Sequence, residues 1–169
     1  AVYRYGEGQQ LVEMGEAFEV LQQVAAAHQD QVEIQLELAK GAVNAVHRYG
    51  EGQQLVEMGE AFGVLQQVAA ANQDQVEIQL RLAQGAVNAV YRYGEGQQLV
   101  EMGEAFEVLQ QVAAAHQDQV GIQLALAKGA VNAVHCYGEG QQWAEMGEAF
   151  EVLQQVAAAH QDQVEIQLE

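Results

Sequence analysis

A single 44-residue unit, written almost verbatim four times, limits this chain more than any other feature. "GAVNAV" occurs at residues 41–46, 85–90 and 129–134, and "GEGQQ" begins at Gly6, Gly50, Gly94 and Gly138. The units run 6–49, 50–93, 94–137 and 138–169, the last truncated, with residues 1–5 reading as the tail of a preceding unit. A repeat of this length is one supersecondary element that hides its apolar side against its neighbours. Residues 1–169 are therefore expected to form one repeat domain.

Within a unit the hydrophobic period is helical. In "QQLVEMGEAFEVLQQVAAAH" the positions Leu11, Met14, Phe18, Leu21 and Ala25 step by three and four, and Ala17, Val20, Val24 and Ala27 run beside them. The stretch "DQVEIQLELAKG" first looks like a strand, because Val32, Ile34, Leu36 and Leu38 alternate with polar residues. Extended to Tyr49 it resolves into two helical stripes, Val32–Leu36–Ala39–Val43–Val46 and Leu38–Ala42–Ala45–Tyr49. At about 100° per residue these fill roughly 200° of the wheel. Glu33, Glu37, Lys40, Asn44, His47 and Arg48 share the remaining arc. The alternation is the edge of a broad buried face, and the segment is a helix.

The punctuation marks two helices per unit, near 8–28 and 31–49, joined at "HQDQ" and separated from the next unit at "GEG". Asp30 with Glu33 has capping-box spacing, repeated at Asp74/Glu77 and Asp162/Glu165. Gly50 and Gly94 stand where a left-handed C-terminal cap wants glycine. Helices of this length on short turns run antiparallel. Glycines recurring inside the helices at 15, 41, 59, 85, 103, 129 and 147 cost about 1 kcal/mol each relative to alanine, which predicts close helix–helix approach there. The second helices differ between copies at Glu37/Arg81/Ala125, Lys40/Gln84, His47/Tyr91/His135 and Arg48/Cys136, positions that all fall on the polar arc.

A tandem two-helix unit predicts an all-α solenoid of four αα-hairpins. "LAKGAVNAV" at 38–46, "YGEG" at 49–52, and Ala61 with Phe62 follow a small/large alternation that resembles the tetratricopeptide (TPR) family, in a unit lengthened to 44 residues. The resemblance implies a right-handed superhelix in which the helix at 31–49 is the inner one, its polar arc lining a groove. Asn44, Asn88 and Asn132 then repeat in that groove, and asparagine both donates to and accepts from an extended peptide backbone. Lys40, Arg4, Arg48 and Arg92, with His47 and Tyr91, add carboxylate and aromatic contacts.

Composition narrows the partners. Six Lys and Arg face 24 Asp and Glu, a formal charge of −18. Phosphate backbones and anionic lipid surfaces are repelled, so neither nucleic acid nor membrane is expected, and basic peptides or protein faces are attracted. No apolar run reaches the roughly 18 residues of a membrane span and no leader is visible, which predicts a cytoplasmic protein. The chain has no Ser or Thr, one Cys and no P-loop, and near-identical copies do not build a unique catalytic constellation; no enzyme, cofactor or metal is expected. His28, His116 and His160 read as turn histidines, Glu13, Glu16 and Glu19 as a solvated face, and Trp143 as core or end-face packing. The leading expectation is a non-catalytic protein-interaction scaffold. The second is a self-assembly module that associates head-to-tail, or closes into a ring, through apolar end faces lacking polar capping helices.

Overall fold

The structure, a computed structural model, describes the backbone of residues 2–160 and the side chains of residues 10–160. Seven helices follow in order: α1 (Val2–Ala27), α2 (Val32–Glu51), α3 (Leu55–Ala71), α4 (Val76–Glu95), α5 (Leu99–Ala115), α6 (Val120–Glu139) and α7 (Trp143–Ala159). No strand occurs among the described residues, and "DQVEIQLELAKG" is helical from Val32 onward. The chain divides into two compact units, Ala1–Arg81 and Leu82–Glu169, with α4 beginning in the first and ending in the second. In the first unit α2 packs on both α1 and α3; in the second α6 packs on both α5 and α7. This is an all-α helical-repeat fold. The Asp162/Glu165 pair and the side chains of Tyr3 and Arg4 lie outside the described residues.

The expected stripes supply much of the core, but not all of them are buried. Val32, Val76 and Val120 are exposed, as is the stripe Ala17, Val20, Val24 and Ala27 on α1, while the buried Ile78 and Ile122 stand outside both stripes. Met58 and Leu65 on α3 and Ile78 on α4 are fully buried in the first unit, as are Met102 and Leu109 on α5 and Ile122 on α6 in the second. Glycine lets the helices meet. A Cβ on Gly41 of α2 would stand 2.6 Å from Leu21 of α1, and one on Gly129 of α6 would strike Leu109 of α5. Gly15 and Gly103 are covered by the hydroxyls of Tyr49 and Tyr137. The expected close approach therefore holds at these four positions and fails at Gly147, which has nothing within 4 Å.

A glutamine inside the apolar arc closes each hairpin. Gln35 is only 6% exposed; its Nε2 donates to the carbonyls of Ala25 (2.9 Å) and His28 (3.1 Å). Gln79 does the same to Ala69 (2.8 Å) and Asn72 (3.1 Å), and Gln123 to Ala113 (2.8 Å) and His116 (3.2 Å). A helix leaves its last carbonyls without intrahelical donors. The turn's own N–H groups already donate to these carbonyls, His28 N to Ala25 O and Gln31 N to His28 O, and one amide from the next helix adds a second donor to each across the turn. His28 and His116 are accordingly turn residues.

Four expectations are corrected. The capping boxes are absent: Gln31 is the N-cap of α2 and makes no side-chain cap hydrogen bond, so Asp30 lies one residue outside the helix. The left-handed caps fall on glutamine: φ is 57° at Gln53, Gln97 and Gln141, and no described glycine has positive φ. Gly50 and Gly94 are buried inside α2 and α4. The helices run past them to Glu51 and Glu95, and Gln54 N and Gln98 N then return to the carbonyls of Tyr49 and Tyr93 at 2.9 Å. Together with Gln53 N to Gly50 O and Gln97 N to Gly94 O, these bonds form Schellman motifs one turn later than glycine placement implied. In the first copy "GEG" forms no break at all, since α1 continues through Gly6–Gly8. The substitutions of the third copy are not all on a polar arc, because Ala125 and Cys136 are buried, Cys136 lying against Gly94 and Met102.

Gln123→Leu removes both donated bonds while the carbonyls of Ala113 and His116 keep their backbone donors, and is expected to cost about 0.5–1.5 kcal/mol, read from urea unfolding followed by helical circular dichroism. Gln97→Gly relieves a left-handed side-chain residue, for which the steric cost is of order 1–2 kcal/mol; after glycine's own entropy loss, a gain of up to about 1 kcal/mol is expected in the same experiment.

Candidate functional site

The polar arc of each second helix carries the residues expected to line a groove. Asn44 is exposed on α2, and Asn88 and Asn132 are half-buried at the same register of α4 and α6. None of the three amides hydrogen-bonds within the described residues. Their neighbours are engaged, each by a carboxylate on its own helix. Lys40 Nζ lies 2.8 Å from Glu37 Oε1. Glu51 gathers His47 Nε2 (3.3 Å) and Arg48 Nη1 (3.1 Å). On α4, Glu95 accepts from the Tyr91 hydroxyl at 3.0 Å and from Arg92 Nη1 at 2.8 Å, and the Arg92 guanidinium sits 5.0 Å from the centre of the Tyr91 ring. The fold thus joins His47 to Arg48 and Tyr91 to Arg92 and leaves Lys40 and the asparagines apart from those pairs.

These pairs arise from spacing. Residues three and four apart share a helix face, and Glu51 and Glu95 close α2 and α4 at that distance from the cations. Arg48 and Glu51 also line a cavity of about 620 Å³ with Gln10, Leu11, Met14 and Gly52. The third copy differs. His135 Nε2 is 3.6 Å from Glu139 Oε1, but Cys136 replaces the arginine and turns inward. Burial pushes its thiol pKa up, with the carboxylates of Glu139 and Glu95 adding to the effect, so it is a weak nucleophile.

The hydrogen bond from Arg92 holds the Glu95 carboxyl below its ordinary pKa, and the Tyr91 hydroxyl reinforces this. The same bond raises the Tyr91 phenol. The bound carboxylate contributes stability above the ordinary glutamate pKa and loses it as pH falls through the lowered value. At so exposed a position solvent screening keeps that contribution small.

Sequence reading passed over two sets of residues. Glu51, Glu95 and Glu139 were detectable as the i+3 and i+4 partners of the cations. Gln35, Gln79 and Gln123 were visible only as one polar residue repeated inside an otherwise apolar face. No three His, Cys, Asp or Glu among the described residues are grouped to hold a metal ion, and no described helix is long and apolar enough to cross a membrane. No protein-family model matches the chain, and comparison with curated proteins and with solved structures finds no match in either.

If Glu95 is held by Arg92, its carbon resonance should titrate at a lower pH than an ordinary glutamate, and Arg92→Gln should move the midpoint upward. An unchanged midpoint would show that the pair does not persist in solution.

Proposed function

We propose that the protein is a non-catalytic interaction scaffold that binds a peptide or a protein face along the polar arcs of its second helices. The observation that carries this reading is the asparagine repeated at one register of α2, α4 and α6, its amide unspent within the described residues. Such an amide offers a peptide backbone both a donor and an acceptor. Arg48 and Arg92 supply adjustable contacts beside it. A carboxylate docking on either must displace Glu51 or Glu95, so recognition there is an exchange of partners rather than the capture of a free cation. The TPR resemblance supports the choice of the second helix as the binding helix, and the excess of acid over base favours partners that are basic elsewhere.

Self-assembly is the second reading, and α7 favours it. Phe106 on α5 is 5% exposed, whereas Phe150, its counterpart in the same "GEAFEVLQQV" segment of α7, is 49% exposed. Trp143 at the start of α7 is 62% exposed, outside any core. An apolar strip of this kind suits association with another copy of the chain.

Two measurements separate these readings. Light scattering after size exclusion over a tenfold dilution series should give one chain mass, 18.4 kDa, for a scaffold. A self-assembler should give a multiple or growing mass that falls with Phe150→Glu. With a partner peptide selected from a random library, the double substitution Asn88→Ala and Arg92→Ala should weaken binding about tenfold or more while leaving the thermal midpoint in place. Tenfold corresponds to about 1.4 kcal/mol, the size of one or two lost charge-assisted contacts. Undiminished binding by that variant would rule out the polar arc as the site.

A further inference from the structure

The hairpin of α5 and α6 shows what covers a first helix. Phe106 and Leu109 lie against Gly129, Gly103 lies under the Tyr137 hydroxyl, and Leu99 lies against Gly140, just past the end of α6. The hairpin of α1 and α2 repeats the set. Phe18 and Leu21 meet Gly41, Gly15 meets the Tyr49 hydroxyl, and Leu11 meets Gly52. The covering residues form one pattern on the second helix: a glycine, a tyrosine eight residues on and a glycine three further. The glycines let that helix come down onto large apolar side chains, and the tyrosine fills the notch left by the glycine of the first helix.

Helix α7 carries the same receiving positions in the same order, Trp143 standing where α5 has Leu99. Here they are open. Phe150 is 49% exposed against 5% for Phe106, and Leu153 is half-buried where Leu109 is fully buried. A Cβ on Gly147 would meet nothing within 4 Å, whereas Gly103 is filled by tyrosine. Trp143 is 62% exposed. Among the described helices α7 packs on α6 alone. Residues 161–169 match 117–125 at the start of α6, and so do not contain counterparts of Gly129, Tyr137 and Gly140. An exposed apolar face by itself says nothing of its partner. In this chain the repeat supplies the partner, because the occupant of the same face is present in two hairpins.

We infer, resting on the self-assembly reading for the choice of face, that α7 docks an amphipathic helix from another molecule that carries the glycine–tyrosine–glycine pattern of α2 and α6. Its first glycine lies over Phe150 and Leu153, its tyrosine hydroxyl enters the notch at Gly147, and its last glycine covers the Trp143 ring. Covering two large aromatic side chains drives the contact, and the empty notch sets its register.

The probe is a synthetic peptide of residues 38–52, LAKGAVNAVHRYGEG, added to the full chain. The chain has one tryptophan and the peptide has none, so Trp143 fluorescence reads the face directly. Binding should move its emission to shorter wavelength and saturate. Helix α7 holds glutamates and no lysine or arginine, and the peptide holds Lys40 and Arg48. A scrambled peptide of the same composition therefore measures general attraction and should bind at least about tenfold more weakly. Filling either notch, by Gly41→Leu in the peptide or Gly147→Leu in the chain, should also cost about tenfold or more. Leucine at 147 has no neighbour to strike and replaces a poor helix former, so the thermal midpoint of that variant should not fall. An unchanged emission, equal binding by the scrambled peptide, or full affinity in either leucine variant would overturn the site. A chain that stays monomeric in light scattering yet binds the peptide would lose the self-assembly reading and keep this site. A mass that grows with concentration, with no response to the peptide, would do the reverse.

Discussion

The pair of hydrogen bonds that a buried glutamine donates to the end of the preceding helix ties together the two helices of each described hairpin, and the register of the rest follows from it. Each hairpin must end one helix, turn within about four residues and start another. The turn's own N–H groups give each carbonyl at its end one donor, and the glutamine amide supplies a second. Gln35, Gln79 and Gln123 each cap two of them from the first turn of the following helix. The net gain from each such bond is modest, about 0.5–1.5 kcal/mol, and it comes with the two helices held in one register. Glutamate at these positions would place a second acceptor against the carbonyls, and asparagine would be one methylene shorter. Once the turn is fixed, the relative height of the two helices is fixed with it. Gly41 then faces Leu21, and Gly129 faces Leu109. The glycine notch and the glutamine clamp thus work in sequence, one setting register and the other allowing contact.

The fold was largely legible because the repeat supplies the same evidence several times. A stripe such as Leu11–Met14–Phe18 could be chance in one copy, but not when Met58 and Met102 occupy the same place and are fully buried. The limits of the helices were less legible, because glycine was credited with a task that its neighbours perform. Gly50 and Gly94 lie within the last turns of their helices, and the left-handed residue is glutamine. A side chain is tolerated there because the two backbone bonds of the Schellman motif hold Gln53 and Gln97 in place. The capping box failed for a related reason. Once the hairpin amide spans the turn, the helix starts one residue later than the Asp–Glu spacing suggests, and Asp30 is left in the turn.

Of the candidate binding residues, sequence placed Asn44, Lys40, His47 and Arg48 on one face correctly but gave no sign of whether they were already engaged. The i+3 and i+4 rule would have shown it, since the partners lie on the same helix. Tyr49 shows the opposite difficulty. It belongs to an apolar stripe, and periodicity assigns it to the core. Only the structure shows that it is half-buried, lines a cavity with glutamates from α1 and α3 and sets its hydroxyl against Gly15.

The distribution of charge follows from the same local pairing. On the second helices the cations are matched within a turn by Glu37, Glu51, Glu77 or Glu95, so those faces are close to neutral and present amides. Helices α3, α5 and α7 contain glutamates and no lysine or arginine, so nothing on these helices offsets their acids. A formal charge of −18 is therefore an average over two unlike surfaces. Screening over roughly 8 Å at physiological salt keeps each local field tied to its own helices. The acidic field and the unspent amides of the asparagines then lie on different sides of the same hairpin.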